Sequence, residues 1–184
     1  MLIRAGLLLL CVMLISACVS QAPRRAAEQS VELRLTPASL GHELALQQQL
    51  RFSFGTEQRT VDALLEVNAD SVKLVVQALG QSAMRLNWDG HRLDQQRAAW
   101  LPAALRGERV LSDLQLTYWP TEAIRAALPM GWQLIEEGNE RQLRQGDQLV
   151  ETVRFTAPDH VEIVQHRENF RMSIASVPIT DATP

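Results

Sequence analysis

Residues 73–86, KLVVQALGQSAMRL, contain two apolar runs on either side of the tetrapeptide Ala78-Leu79-Gly80-Gln81. This pattern predicts a β-hairpin with the tetrapeptide at its tip. Hairpin tips usually carry residues such as Asn, Asp, Gly and Ser, whereas here a leucine occupies the tip. The stretch therefore indicates a β-rich fold, and it leaves the leucine to be explained.

The neighbouring segments alternate apolar and polar side chains with a period of two. The alternation covers residues 43–54 and 59–68, and it continues into the hairpin strands at 72–78 and 82–88. Asp89-Gly90 is a strong turn signal that leads into a further strand at 91–97. Five strands joined by short loops predict an antiparallel meander with one face in water.

Residues 106–128 break this rhythm, because apolar side chains recur at helical spacing. Pro120 ends or kinks a first helix, and Thr121 to Leu128 can form a second. Strand patterns return at residues 132–137, 141–145, 148–156, 160–166 and 170–177. We therefore predict a mainly β protein with a helical insert (α+β), built on a curled antiparallel sheet of about ten or eleven strands whose apolar face the helices cover.

The N-terminus carries a secretory signal. A short basic start is followed by an apolar stretch from Gly6 to Ile15, and Ser16-Ala17 then precede Cys18. This ending resembles a bacterial lipobox, which implies that Cys18 is acylated and becomes the first mature residue; the alternative is an ordinary signal peptide with a chance cysteine. Val19 in place of aspartate favours the outer membrane. We predict a signal peptide at 1–17, a lipidated cysteine and flexible tether at 18–42, a folded domain at 43–178 and a tail at 179–184.

The composition and the scattered polar residues argue against several classes of function. A formal net charge of −3 argues against nucleic acid as the main partner. The four histidines are spread along the chain, and the two that share a predicted strand, His160 and His166, are about 20 Å apart, so we expect no metal site and no cofactor. Asp62 and Glu66 share a strand face, but alternation places that face in water, so we expect no enzyme. We expect a monomer.

Four tryptophans lie near the predicted boundary between sheet and helices: Trp88, Trp100, Trp119 and Trp132. They could simply fill the core, or as a group they could line an apolar cavity for acyl chains. The residue pattern leaves both readings open.

The order of these features resembles the LolB-type outer-membrane lipoprotein receptors, which share with the periplasmic carrier LolA a half-open antiparallel barrel lidded by helices. The local match is best at Ala78-Leu79-Gly80, where that family has Pro-Leu-Gly, and at the helical stretch Leu114 to Pro129. The chain resembles still more closely a group of uncharacterised bacterial lipoproteins known only as a domain of unknown function. The shared motifs are Ser39-Leu40-Gly41, Trp88-Asp89-Gly90 and residues 113–120.

The resemblance implies a non-enzymatic lipoprotein on the periplasmic face of the outer membrane. It would bind and transfer acylated cargo, either a lipoprotein or an aryl-polyene or fatty-acid-type lipid, received from a LolA-like carrier. Leu79 would contact the membrane, although Ala78 replaces the family's tip proline. The expected cargo-binding residues are Leu86, Trp88, Trp100, Leu114, Tyr118, Trp119, Ile124, Leu128 and Trp132. The alternative is a structural lipoprotein that binds a protein partner and has no lipid cavity.

Overall fold

The computed structural model describes residues 31–54, 57–101 and 105–180 of the 184-residue chain. The predicted signal peptide, Cys18, the first part of the predicted tether and the last four residues lie outside this range.

Ten strands form one antiparallel sheet. Their bounds are β1 Leu44–Phe54, β2 Glu57–Val67, β3 Val72–Ala78, β4 Gln81–Trp88, β5 Leu93–Arg97, β6 Trp132–Glu137, β7 Glu140–Gln145, β8 Gln148–Ala157, β9 His160–Gln165 and β10 Phe170–Pro178. The spatial order is β5-β4-β3-β2-β1-β10-β9-β8-β7-β6, so the first and last strands of the chain meet in the middle of the sheet. The outer strands β5 and β6 do not pair with each other, which leaves the curled sheet unclosed.

Two helices cover the opening. Helix α1 (Gly107–Tyr118) begins beside β5, where the backbone N–H of Gly107 donates to Gln95 Oε1 at 2.7 Å. Helix α2 (Thr121–Ala127) lies along β6, and Arg125 Nε donates to the backbone carbonyl of Leu134 at 3.1 Å. The predicted fold class, a half-open antiparallel barrel covered by helices, is confirmed. Neither helix is long and apolar enough to span a bilayer, and the same holds for every helix in the described part of the chain.

The alternating strand directions divide the barrel into two ends. The upper end carries the turns β1–β2, β3–β4, β7–β8 and β9–β10, the exit of β5 and the start of β6. The lower end carries the turns β2–β3, β4–β5, β6–β7 and β8–β9. Leu79, at the tip of the β3–β4 hairpin, therefore lies at the upper end.

The segment before β1 differs from the sequence-based expectation. Residues 31–40, which we call the strap, were predicted to be part of a flexible tether, yet Leu33 and Leu40 are each only 2% exposed. The strap runs alongside α1 in the same direction: the backbone N–H of Leu33 donates to Ser112 Oγ at 2.8 Å. It ends in a 3₁₀ turn, Pro37–Leu40, next to the β4–β5 turn at the lower end. The buried core therefore includes side chains of residues 31–40, which lie before the predicted start of the folded domain at residue 43.

A single glutamine gives the strap much of its hydrogen bonding. Gln115 on α1 accepts from the backbone N–H of Leu35 at 3.0 Å and donates to the carbonyl of the same residue at 2.9 Å. Its buried amide therefore satisfies a peptide group as a neighbouring strand would. This arrangement explains how an unpaired extended segment can lie in the core.

Candidate functional site

An apolar cavity of about 740 Å³ lies between the concave face of the sheet and helix α1. Its volume falls within the range of roughly 300–1,000 Å³ that is usual for small-molecule sites. The wall is continuous with Leu79, which is fully exposed, and with Trp100, which is 56% exposed. The cavity therefore opens at the upper end of the barrel.

The wall follows from the period-two pattern of the central strands. Alternate residues of each strand point to the concave face. In β1, β3 and β10 most of these positions are apolar: Leu50, Phe52, Leu74, Val76, Phe170, Met172 and Ile174. Phe52 and Phe170 stack on adjacent strands with ring centroids 5.8 Å apart. From the other side, α1 contributes Val110 and Leu114 to the wall.

Few polar groups face the cavity, and several of them have protein partners. Gln48 Nε2 donates to Tyr118 Oη at 2.7 Å and to Ser176 Oγ at 3.0 Å, which ties β1 to α1 and to β10. Thr117 Oγ1 donates to the backbone carbonyl of Asp113 at 2.7 Å. These groups are already hydrogen-bonded, so the cavity suits an apolar guest better than a polar one.

One buried ionic cluster lies beside the wall. Arg109 Nε donates to Asp113 Oδ1 at 2.8 Å, its Nη1 reaches Glu168 at 3.3 Å, and its Nη2 lies 3.9 Å from Glu151. Burial raises the pKa of Asp113 to about 6, although the guanidinium opposes this. Burial and the charge of Asp113 together raise the pKa of Glu151 well above its ordinary value. One guanidinium therefore faces three carboxyl groups, which favours the protonated form of Glu151.

The hairpin tip holds Leu79 in an unusual backbone conformation. Ala78 pairs with Gln81, and the two residues between them have positive φ angles, 51° for Leu79 and 73° for Gly80. Two successive positive φ angles define a type I′ turn, which strongly prefers Asn-Gly. A leucine in this conformation costs about 1–2 kcal/mol, and full exposure means that no packing compensates for it. Backbone strain that no side-chain packing offsets indicates that Leu79 serves a function other than stabilising the fold.

The structure brings three of the predicted cargo and membrane residues to the cavity. Leu79, Trp100 and Leu114 belong to its wall. The others are not part of that wall: Leu86, Trp88, Trp119 and Ile124 are buried, and Tyr118, Leu128 and Trp132 are partly buried against the core. The cargo role that we expected for these seven residues has no support in their positions.

Two of the tryptophans hold the strap instead. Trp88 Nε1 donates to the carbonyl of Leu35 at 2.8 Å, and Trp119 Nε1 donates to that of Thr36 at 3.2 Å. A buried indole N–H needs such an acceptor. The boundary between sheet and helices, where we expected a cargo site, is therefore filled by the strap.

Sequence reasoning missed most of the wall that the structure shows. The inward positions of β1 and β2 were predicted to be apolar, but they were not assigned to a site. Arg59 and Met84 were also missed, although both face the cavity. The alternation contained this information, because every inward residue of a curled, half-covered sheet is a candidate wall residue.

The fold and the cavity together define a class: a half-open, helix-covered antiparallel barrel with an apolar binding space that opens at one end. The chain belongs to the family described as protein of unknown function DUF3261, whose profile matches residues 45–178. This agrees with the resemblance to a domain of unknown function.

Two solved structures are similar over most of the chain at low identity. One is a DUF1329 family protein from Desulfovibrio piger ATCC 29098, with 8% identity, a TM-score of 0.41, and coverage of 80% of this chain and 90% of that one. The other, from Vibrio parahaemolyticus, is described as a candidate outer membrane lipoprotein-sorting protein domain, with 10% identity, a TM-score of 0.44, and coverage of 76% and 86%. No curated protein matched the chain.

Proposed function

We propose that this protein is a non-enzymatic lipid-handling protein of the bacterial envelope that binds acyl chains in the barrel cavity and releases them into a membrane. The observation that carries the proposal is the apolar cavity of about 740 Å³, which opens beside an exposed leucine. A structural lipoprotein without a lipid cavity, the alternative, does not need such a space. The cargo is the acyl part of a lipoprotein or of a fatty-acid-type lipid.

The energetics suit transfer. Removing an acyl chain from water contributes about 0.8 kcal/mol for each buried CH₂ group. A bilayer offers nearly the same contribution, so moving a chain from the cavity to a membrane changes its free energy little. Such a protein needs no bond chemistry and no cofactor. It must shield the chain from water on the way and bring the opening close to the membrane.

The anchor and the tip would bring the opening there. In this proposal Cys18 is lipidated and holds the chain on the periplasmic face of the outer membrane, and Leu79 touches the bilayer at the point of release. A LolA-like carrier in the periplasm would supply the cargo. Loading and release then use the same opening, because the strap and its tryptophans fill the lower end.

A matched pair of substitutions on β3 tests cargo binding. Val76 faces the cavity, whereas its neighbour Val75 points to the opposite side of the sheet; both are half-buried. Val76→Phe should fill part of the cavity and weaken the binding of a fluorescent fatty acid at least 10-fold. Val75→Phe should leave binding unchanged.

Native mass spectrometry of the protein purified from membranes supplies an independent readout. It should show bound acyl species in the wild type and in Val75→Phe, and much less in Val76→Phe. Equal binding by all three proteins, or no bound lipid in any of them, would show that the cavity is not a cargo site.

A further inference from the structure

Three exposed apolar side chains lie at the upper end of the barrel, each on a different loop. Leu79 and Met130 are fully exposed, and Trp100 is 56% exposed. Leu79 lies on the β3–β4 turn, Trp100 follows β5, and Met130 precedes β6, which starts at this end. Single exposed apolar residues need no explanation, but three loop tips at the same end form a pattern.

The strap begins at the same end. Glu32 forms an ion pair with Arg106, which precedes α1, at 3.2 Å. One turn further along that helix, Arg109 contacts Glu168 in the β9–β10 turn, so α1 and the strap both start at the upper end. The chain from Cys18 to residue 31 can span at most about 45 Å. If Cys18 is the lipid anchor, it attaches the domain to the membrane through the upper end, and the tether is about half as long as an unstructured segment up to residue 42 would be.

Charge also differs between the two ends. The upper end is rich in arginine, with fewer acidic residues, and its basic residues are Arg59, Arg97, Arg106, Arg144, Arg167 and Arg171. Its acidic residues are Glu32, Glu57, Glu108, Asp147 and Glu168, of which Glu32 pairs with Arg106 and Glu168 with buried Arg109. Every lower-end turn carries or adjoins an acidic residue: Asp70, Asp89, Glu137 and Asp159. The chain is acidic overall, so this separation gives it a dipole along the barrel axis.

From these three observations we propose that the upper end is a docking face for an anionic phospholipid bilayer, in which Leu79, Trp100 and Met130 enter the interface while the exposed arginines Arg106 and Arg171 contact lipid phosphates. This proposal deepens the proposed function and rests on it, because docking serves the release of cargo into the membrane. Tryptophan suits the interface because its ring is apolar and its N–H is polar. The acidic lower end is repelled by the same surface, so the field orients the opening towards the membrane.

Vesicle binding tests the docking face. The protein is the mature chain carrying Cys18→Ser, so that no anchor masks weak binding, and the probes are vesicles of phosphatidylcholine with and without phosphatidylglycerol. The test variant is Arg106→Gln/Arg171→Gln at the upper end, and neither arginine lines the cavity. The control is Arg92→Gln/Arg154→Gln at the lower end, which removes the same charge from two arginines in exposed ion pairs, as Arg106 is at the upper end.

We expect the wild type to prefer the anionic vesicles and to lose that preference as salt is raised. The upper-end variant should bind them about 25-fold more weakly, ~5-fold for each arginine, and the lower-end control should bind like the wild type. Leu79→Ser/Met130→Ser should weaken binding to both kinds of vesicle. Equal losses in the two arginine variants would show an effect of net charge alone and would overturn the proposal, as would wild-type binding that ignores phosphatidylglycerol.

Fatty-acid binding without vesicles, measured on the same proteins, separates this proposal from the proposed function. The arginine variants should retain it fully, because the cavity wall is untouched. Vesicle docking without fatty-acid binding would refute cargo carriage and leave the docking face standing. Fatty-acid binding with no preference for anionic vesicles would refute the docking face alone.

Discussion

Replacing Leu79 with asparagine should make the protein more stable and less functional. The tip is a type I′ turn with φ angles of 51° and 73°, and asparagine tolerates the left-handed region much better than leucine does. The leucine side chain is fully exposed, so its removal costs no packing in the free protein. We therefore expect the free energy of unfolding to rise by about 1 kcal/mol.

Two measurements on the same variant check the two halves of this prediction. Urea denaturation should show a higher midpoint with an unchanged slope, a shift of roughly 0.5 M for a slope near 2 kcal/mol/M. Transfer of a fluorescent fatty acid from protein to vesicles should slow about 10-fold or more, because burying a leucine side chain in the bilayer contributes roughly 1.5–3 kcal/mol. Leu79→Ala is the matched control, since alanine keeps the backbone strain but loses the apolar contact.

The control should unfold within about 0.5 kcal/mol of the wild type and transfer as slowly as the asparagine variant. A drop in stability for Leu79→Asn would show that leucine is favoured by the fold itself. Wild-type transfer rates in both variants would show that the exposed side chain has no part in release. Either result would refute the reasoning from strain to function.

Three further predictions concern the frame around the cavity. Gln115→Leu should lower the free energy of unfolding by about 2–4 kcal/mol in urea denaturation, because two hydrogen bonds to the Leu35 peptide groups are lost and only the bond from Trp88 to the carbonyl remains. Hydrogen exchange at the Leu35 amide should become faster, and unchanged exchange would contradict the assignment. Arg141→Lys should lower the free energy of unfolding by about 2–3 kcal/mol, as measured by thermal melting. Nη1 of Arg141 donates to three backbone carbonyls at the end of α1, and a lysine ammonium cannot reproduce the guanidinium geometry. The free energy of unfolding of the wild type should fall as pH rises from about 4 through 6 and above, by up to ~1.4 kcal/mol per pH unit for each proton released. The reason is that burial raises the pKa of Asp113 and of Glu151, so the folded state binds more protons than the unfolded state in this range. Glu151→Gln should flatten that slope in a urea titration over pH, and an equally steep slope in the variant would exclude Glu151 as its source.

The strands and helices could be predicted closely because the pattern that encodes them is local. Predicted residues 132–137 and 148–156 compare with Trp132–Glu137 and Gln148–Ala157 in the structure. The strand predicted from residue 91 begins at Leu93, because Asp89 Oδ1 accepts from the backbone N–H groups of residues 91 and 92 and extends the turn. Period-two alternation and Gly-containing turns were sufficient for this level of description.

The buried position of the strap could not be predicted from the local sequence pattern in the same way. Residues 31–35 alternate, with Val31, Leu33 and Leu35 apolar, but the run is short and its partners are side chains nearly 80 residues away. The strap forms these hydrogen bonds with side chains and not with a neighbouring strand. The sequence therefore contains no second alternating segment that would indicate its pairing. Trp88 and Trp119 were assigned to cargo for the same reason, since only the folded chain shows that the strap occupies their surroundings.

The strap also has a mechanical consequence. It lies lengthwise on α1 and leaves the barrel at the upper end, so tension applied through residue 31 acts along its own axis. In that geometry the hydrogen bonds at Leu33, Leu35 and Thr36 share the load in shear and do not open one after another. The buried leucines must slide together before any of them is released. A protein attached to a membrane through this segment should therefore resist unfolding from the attached end when tension acts on the attachment.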